Sequence, residues 1–318
     1  MSFAQLAAVA GFYGRFTPSF SRIGFQARRL GWRHIPWRFS GQRWLVTGAS
    51  AGIGRAIARA AAEGGAEVVA VARASARLEQ IAVGLAPEPA ARLTTLPADL
   101  SLVSGTAALL EMLTSEGRPF DVLINNAGVL LNEHRMTEEG HEASFVVNLL
   151  SHYQLTEGLL AAGTLANGAT LVNMSSGGMY SVPLGLEGLD VTDPARHVGK
   201  LAYARHKRAQ VALTGDWQRR LSEREMAVYV MHPGWVRTEG VRQSLPVFWR
   251  VQRPILRQPI EGADTALWLC ATRPVPRADV IWFDRKPRPV HLFSQTRQAG
   301  CSVEALREFL QRQLDAAA

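Results

Sequence analysis

The chain has 318 residues, 47% of them hydrophobic, enough to bury one full core, which points to a single large α/β domain with terminal additions and excludes two equal domains. Two distant cysteines, Cys270 and Cys301, without CxxC or Cys/His ligand spacing, exclude a structural zinc, predict no metal site and suggest a reducing, cytoplasmic compartment. The formal charge of +8 draws on 35 Lys and Arg of which only Lys200, Lys207 and Lys286 are lysines; no basic stripe carries stacking aromatics, which excludes nucleic acid, and no apolar run reaches the roughly 18 residues of a membrane span.

Residues 1 to about 40 precede every motif. Leu6, Phe12, Tyr13, Phe16, Phe20, Ile23, Phe25, Trp32 and Trp37 recur there at loose helical spacing among arginines 15, 22, 28, 29, 33 and 38, and the first acidic residue of the chain is Glu63. Pro18 breaks any single long helix. The aromatics share no single stripe, so this extension is expected to be a pair of short helices packed on the domain or on a second subunit of a homo-oligomer. The alternatives are a peripheral membrane contact, with an amphipathic segment on an anionic surface, and an arginine-rich targeting sequence.

Trp44 to Gly54 reads WLVTGASAGIG. The apolar run predicts a buried strand, which breaks into a glycine loop and opens a small-residue helix over 55–62. Gly48 allows a tight turn, Gly52 a close approach of backbone to a pyrophosphate and Gly54 close helix packing, with the diphosphate on the helix N-terminus. Ser50 and Ile53 fall in the same cofactor-binding turn. The second strand, 67–71, ends at Ala72 and Arg73, where NAD-binding domains often place an acid on the ribose 2′-hydroxyl. An arginine there pairs with a 2′-phosphate, so NADP(H) is favoured over NAD.

A third strand over 93–96 leads to Asp99, expected at the adenine, and a fourth over 121–124 runs into Asn125, Asn126, Ala127 and Gly128. A helix over 138–160 carries Asn148. The strand 169–174 ends in Ser175 and Ser176, and after a long connection comes the helix holding LAYARHKRAQ. The strand 228–231 leads to His232, Pro233 and Gly234. Residues 237–258, with Leu245, Val247 and exposed-looking Phe248 and Trp249, read as a flap over an apolar pocket. A helix over 261–270, a strand over 280–283 and an amphipathic helix over 303–314 complete the chain. Strands and helices alternate throughout 41–318, which predicts one domain built on a doubly wound parallel sheet.

Tyr203 and Lys207, four apart, share one helix face. An ammonium beside a phenol lowers its pKa, which makes Tyr203 a candidate acid-base. Ser176, at the carboxyl edge of the sheet, is placed to bond a substrate oxygen, or else simply caps a turn. Asn148, polar within FVVNLL, needs a water or backbone partner, and one reading is a water-linked proton path to Lys207. His206 and His232 have no visible carboxylate partner and read as bystanders.

The glycine loop TGxxxGxG, NNAG, Asn148, Ser176 and the Tyr203–Lys207 pair, in this order, resemble the short-chain dehydrogenase/reductase family over 43 to about 285. The resemblance implies a seven-stranded Rossmann sheet of order 3-2-1-4-5-6-7 and a nicotinamide cofactor. It also implies a catalytic set in which Tyr203 gives and takes the proton, Lys207 binds the nicotinamide ribose, Ser176 orients the carbonyl and Asn148 holds a relay water. Asn125, Ala127, Gly128, Pro233, Gly234 and Thr238 would complete the cofactor site. The long Ser176-to-Tyr203 interval is similar to the retinol-dehydrogenase-like branch, and the strings SSGGM, YARHKRAQV, MHPGW and DRKP are similar to the dehydrogenase/reductase member 12 group. The expected activity is NADP(H)-dependent interconversion of a carbonyl and an alcohol on a small apolar substrate. The rival is a cofactor-binding protein of a membrane surface or partner complex with little turnover. Sugar epimerases, which use TGxxGxxG, fit the loop less well.

Overall fold

The computed structural model describes residue 14 and residues 16–317, so Leu6, Phe12, Tyr13 and Arg15 lie outside the described residues. Strands β1 (Arg43–Thr47), β2 (Glu67–Ala72), β3 (Leu93–Pro97), β4 (Phe120–Asn125), β5 (Leu165–Met174), β6 (Ala227–Met231) and β7 (Val280–Phe283) form one parallel sheet in the order 3-2-1-4-5-6-7. Every residue of β1 is buried, as a strand covered on both faces requires. Its alternate residues feed opposite layers. Trp44 and Val46 pack under the helices Gly52–Glu63 and Pro259–Thr272, while Leu45 faces the cluster built with Val103–Ser115, Ser151–Ala161, Gly199–Arg220 and Val303–Ala317. The strand order reverses between β2 and β4 on either side of β1, and the carboxyl ends there form the crevice in which ligands of such sheets bind.

The sheet has eight strands rather than the expected seven. Strand β8 (Lys286–Pro289) pairs antiparallel with β7, joined by a two-residue turn in which Asp284 and Arg285 have φ of 49° and 59°. Such turns favour asparagine or aspartate followed by glycine, so Arg285 in the second position weakens the sequence signal. The left-handed backbone is held by side chains instead: Asp284 is gripped by Arg257 and Arg28, and Arg285 spans both oxygens of Asp264.

The helix expected from 138 starts at Ala143. Gly140, at φ +82°, closes a turn in which the Thr137 amide donates to His141 O and the His141 amide to Thr137 Oγ1, and the Glu142 carboxylate caps the amides of Ser144 and Phe145. Val146–Leu150 is then a π-helical turn, with Asn148 at its middle, before the helix Ser151–Ala161. Extra residues of this kind cluster at functional sites.

The flap region folds as two short helices, Glu239–Ser244 and Pro246–Gln252. Phe248 and Trp249 are half-buried rather than exposed, Phe248 standing edge-on to Trp235 at 5.1 Å, and Val247 and Val251 point outward instead.

In the amino-terminal segment a helical turn over 16–20 and the helix Arg22–Arg29 bury Phe16, Phe20 and Phe25 against the domain. Arg22 and Gln26 both donate to Glu261.

Candidate active site

The carboxyl end of β1 turns through Gly48, at φ +67°, into the helix Gly52–Glu63. A Cβ on Gly54 would overlap the Gly48 carbonyl, so only glycine lets this helix lie so close to the strand. Ala51, at the N-cap, has no side chain to cap with, and the first turn holds no acid. Its amides and the positive end of the helix dipole are left for an anion, and Ser50, Gly52 and Ile53 are half-buried around them. Thr238 lies across this loop, its Cγ2 3.1 Å from where a Gly52 Cβ would stand. Arg73 follows the last residue of β2, exposed, and its guanidinium bonds no described residue. These groups fit the phosphates of a dinucleotide.

One of the expected cofactor contacts, Asn125, is placed differently. Asn125 is fully buried and donates through Nδ2 to Thr156 Oγ1 and Asn173 Oδ1, both at 2.9 Å, so its side chain serves the core. Its neighbour Asn126 turns the other way and donates to the carbonyls of Thr47 and Gly48, clamping the glycine loop. Asp99 spends Oδ1 on the amide and hydroxyl of Ser101, at 2.9 and 2.6 Å, as a turn residue. Ala127 donates its amide to Thr47 Oγ1, and Gly128 passes where a Cβ would sit 3.3 Å from Asn148 Oδ1 and 3.4 Å from Lys207 Nζ.

The helix Gly199–Arg220 brings Tyr203 and Lys207 beside the end of β5, where Ser176 accepts from the Gly178 amide. Burial raises the Tyr203 phenol above its ordinary range, partly offset by a hydrogen bond with Ser176. This corrects the depressed tyrosine expected from sequence. Lys207 Nζ lies 5.6 Å from the centre of the Tyr203 ring and donates to Met174 O at 2.9 Å and Gln210 Oε1 at 3.1 Å, and burial lowers it to about 7. Its charge is spent on carbonyls, and desolvation decides both shifts.

Asn148 has the backbone partner that its buried amide requires. Its side chain pairs reciprocally with Val129, accepting at Oδ1 and donating from Nδ2, each at 2.8 Å, and its backbone carbonyl accepts from Gln210 Nε2 at 2.6 Å. Pro233 and Gly234 follow β6, and a Cβ on Gly234 would come 2.6 Å from the Arg257 guanidinium.

A model of the short chain dehydrogenases matches residues 42–186. The chain is 35% identical to dehydrogenase/reductase SDR family member 12 of Bos taurus over 85% of its own length and 86% of the relative's. It belongs to the short-chain dehydrogenase/reductase family. It is also similar to human retinol dehydrogenase 14, at 33% identity over 85% of each chain. Among solved structures, a putative uncharacterized protein from Mycobacterium paratuberculosis superposes with a TM-score of 0.68 at 25% identity, covering 87% of this chain and 95% of that one. A short chain dehydrogenase from Burkholderia cenocepacia, in complex with NADP, shares the fold at 24% identity and a TM-score of 0.61, over 75% of this chain and 95% of that one.

In this short-chain dehydrogenase/reductase, sequence reasoning passed over several residues around the site. His206 is no bystander: Nε2 meets Leu189 O at 2.7 Å, Nδ1 lies 3.3 Å from Asn148 Nδ2, and burial lowers it to about 4, so it supports Asn148 as a neutral ring. His232 stacks on Phe283 at 4.1 Å and is likewise held neutral by burial. Asn126 was visible as half of the NN doublet, and Gln210 as the polar residue one turn beyond Lys207. Phe20 stood among the aromatics expected to pack on the domain, but nothing in the sequence put its ring against Gly177 beside Ser176.

Proposed function

We propose that this oxidoreductase interconverts a carbonyl and an alcohol on an apolar substrate with NADP(H), with Tyr203 as the acid and base. The observation that carries the proposal is the meeting of Tyr203, Ser176 and Lys207 at the carboxyl edge of the sheet, beside an uncapped helix N-terminus. Gly48, Ser50, Gly52, Ile53 and Gly54 would hold the pyrophosphate, Arg73 the 2′-phosphate, Ala127 and Gly128 the passage beside Lys207, and Pro233, Gly234 and Thr238 the opposite wall. Asp99 would meet the adenine through the oxygen not bound to Ser101. The bound dinucleotide would supply or accept a hydride. Ser176 would hold the substrate oxygen, and Tyr203 would protonate it as negative charge develops there. Lys207, charged or neutral within reach of physiological pH, would bias the phenol toward giving or taking that proton.

Half-buried Leu245, Trp235, Phe248 and Trp249 offer an apolar approach to the site. With the retinol dehydrogenases among the relatives, this favours hydrophobic aldehydes, ketones and retinoids. The test is oxidation of NADPH across a panel of aldehydes, steroids, retinoids and quinones, with NADH as control. Preferential NADPH consumption with apolar carbonyls is expected. Consumption of neither nucleotide would contradict the reading.

Peripheral membrane contact has its own observation: Leu30 is 91% and Ile23 62% exposed beside Arg22 and Arg29. No helix among the described residues is long and apolar enough to cross a membrane. Pelleting with anionic vesicles, compared with an Ile23→Ser/Leu30→Ser variant, tests this, and equal pelleting would remove it. A homo-oligomer is read out by light scattering of the purified chain.

A further inference from the structure

Lys207 is a buried cation with no carboxylate among the causes of its shift; burial alone draws it down to about 7. It meets carbonyl oxygens instead, Met174 O and the side-chain oxygen of Gln210. Gln210 lies one turn further along the same helix and is only 2% exposed. Its far end faces two acceptors: Nε2 donates to Asn148 O at 2.6 Å and lies 2.7 Å from His152 Nδ1.

Asn148 O, which only accepts, and the Lys207 ammonium, which only donates, fix the direction of that amide. Burial first, and the charge of Lys207 second, lower His152 to about 3, so its ring is neutral, and the amide nitrogen facing Nδ1 assigns it the tautomer with the lone pair there. Both amide protons of Gln210 are then engaged. Rotating the group by 180° would set Oε1 against the Asn148 carbonyl and Nε2 against the Lys207 ammonium, two repulsions that hold for either imidazole tautomer. The Gln210 carbonyl is therefore obliged to face Lys207. The other titratable groups around the ammonium are the Tyr203 ring and His206, which feels the Lys207 charge and is itself lowered to about 4. Glu142 and Arg205 act on His206.

We propose that Gln210 is a positioning residue, an amide wedge locked by Asn148 and His152 that holds the Lys207 ammonium. Its catalytic meaning rests on the proposed role of Lys207 beside Tyr203, but the wedge itself does not. The Gln210 dipole stabilises the charged lysine, so removing it lowers the lysine titration and replacing it with a carboxylate raises it.

The composition makes this directly measurable. With only three lysines in the chain, NMR of lysine-labelled protein gives three side-chain signals, and Lys207 is the one lost in Lys207→Met. The expected result, on full-length protein without cofactor or substrate, is a Lys207 midpoint about one pH unit lower in Gln210→Leu and at least as far higher in Gln210→Glu. Shifts in the same direction, or none in either variant, would overturn the proposal. Thermal melting checks that each variant folds. Should Gln210→Leu not fold, Gln210→Asn, one methylene too short to span the gap, takes its place with the same expected sign. With an active wild type, the acid limb of alcohol oxidation follows the lysine midpoint. An inactive wild type would sink the proposed function and leave the titration to decide Gln210.

Discussion

Arg257 grips Asp284 through two parallel hydrogen bonds, Nη1 to Oδ1 at 2.6 Å and Nη2 to Oδ2 at 2.9 Å, with both side chains 1% exposed. The same guanidinium donates to the carbonyls of Ser19, Phe20 and Pro233. One buried pair thus joins the amino-terminal segment, the loop after β6 and the turn between β7 and β8. Removing one partner of such a pair strands the other charge, so Asp284→Asn should cost about 3–5 kcal/mol, read as a lower urea midpoint. An unchanged midpoint would show that the pair does not organise the fold.

Phe20 and Gly177 give a second test. A Cβ on Gly177 would stand 2.5 Å from Phe20 Cε2, and Ser176 is the preceding residue. Gly177→Ala should lower turnover roughly tenfold or more, as small misplacements of a reacting group do, with dinucleotide affinity little changed. Combining it with Phe20→Ala, which opens the space, should recover part of the loss. A double variant no better than the single one, with both folded, would remove Phe20 from the support of Ser176.

Stability should depend on pH through three buried histidines. His152 is lowered to about 3, His206 to about 4 and His232 well below its ordinary range, each mainly by burial. In the unfolded chain they protonate near 6.5. Between about pH 6.5 and 4 the unfolded state therefore binds more protons, so stability falls as the pH falls, each ring contributing up to about 1.4 kcal/mol per pH unit. Lys207 obeys the same sign at higher pH: its folded value of about 7 lies below that of the unfolded chain, so its contribution grows as pH rises above 7. Urea midpoints at pH 7.5, 6 and 5 should decline in that order. A flat profile would mean the histidines are not buried and neutral.

Arg73 should set cofactor choice. Arg73→Ala removes a charge-assisted contact to the 2′-phosphate, so KM for NADPH should rise roughly 10- to 100-fold while that for NADH stays within a few-fold. Equal effects on both would assign Arg73 to the surface.

The parts of the fold legible in sequence were those written locally. The run Trp44–Val46 breaking into Gly48, and the repeated return of apolar runs, gave the strands and helices of a doubly wound parallel sheet, whereas the strand order followed only from the family resemblance. What stayed hidden depends on partners distant in sequence. Strand β8 follows a turn in which Asp284 is succeeded by Arg285 instead of the usual glycine, and Arg257 with Asp264 hold it. Asn125 turns into the core and Asn126 toward the glycine loop because the phase of side-chain alternation at the end of β4 decides which amide faces which way. The charge relation of Tyr203 and Lys207 was misjudged for a similar reason. Four-residue spacing reports proximity, whereas burial and the carbonyls of Met174 and Gln210 set the titration.

Tyr203→Phe removes only the hydroxyl and keeps the ring that lies near Lys207. Carbonyl reduction by this variant, on a substrate the wild type turns over, should fall roughly 10²- to 10⁴-fold, while NADPH affinity and melting temperature change little. Turnover within tenfold of wild type would contradict Tyr203 as the proton donor.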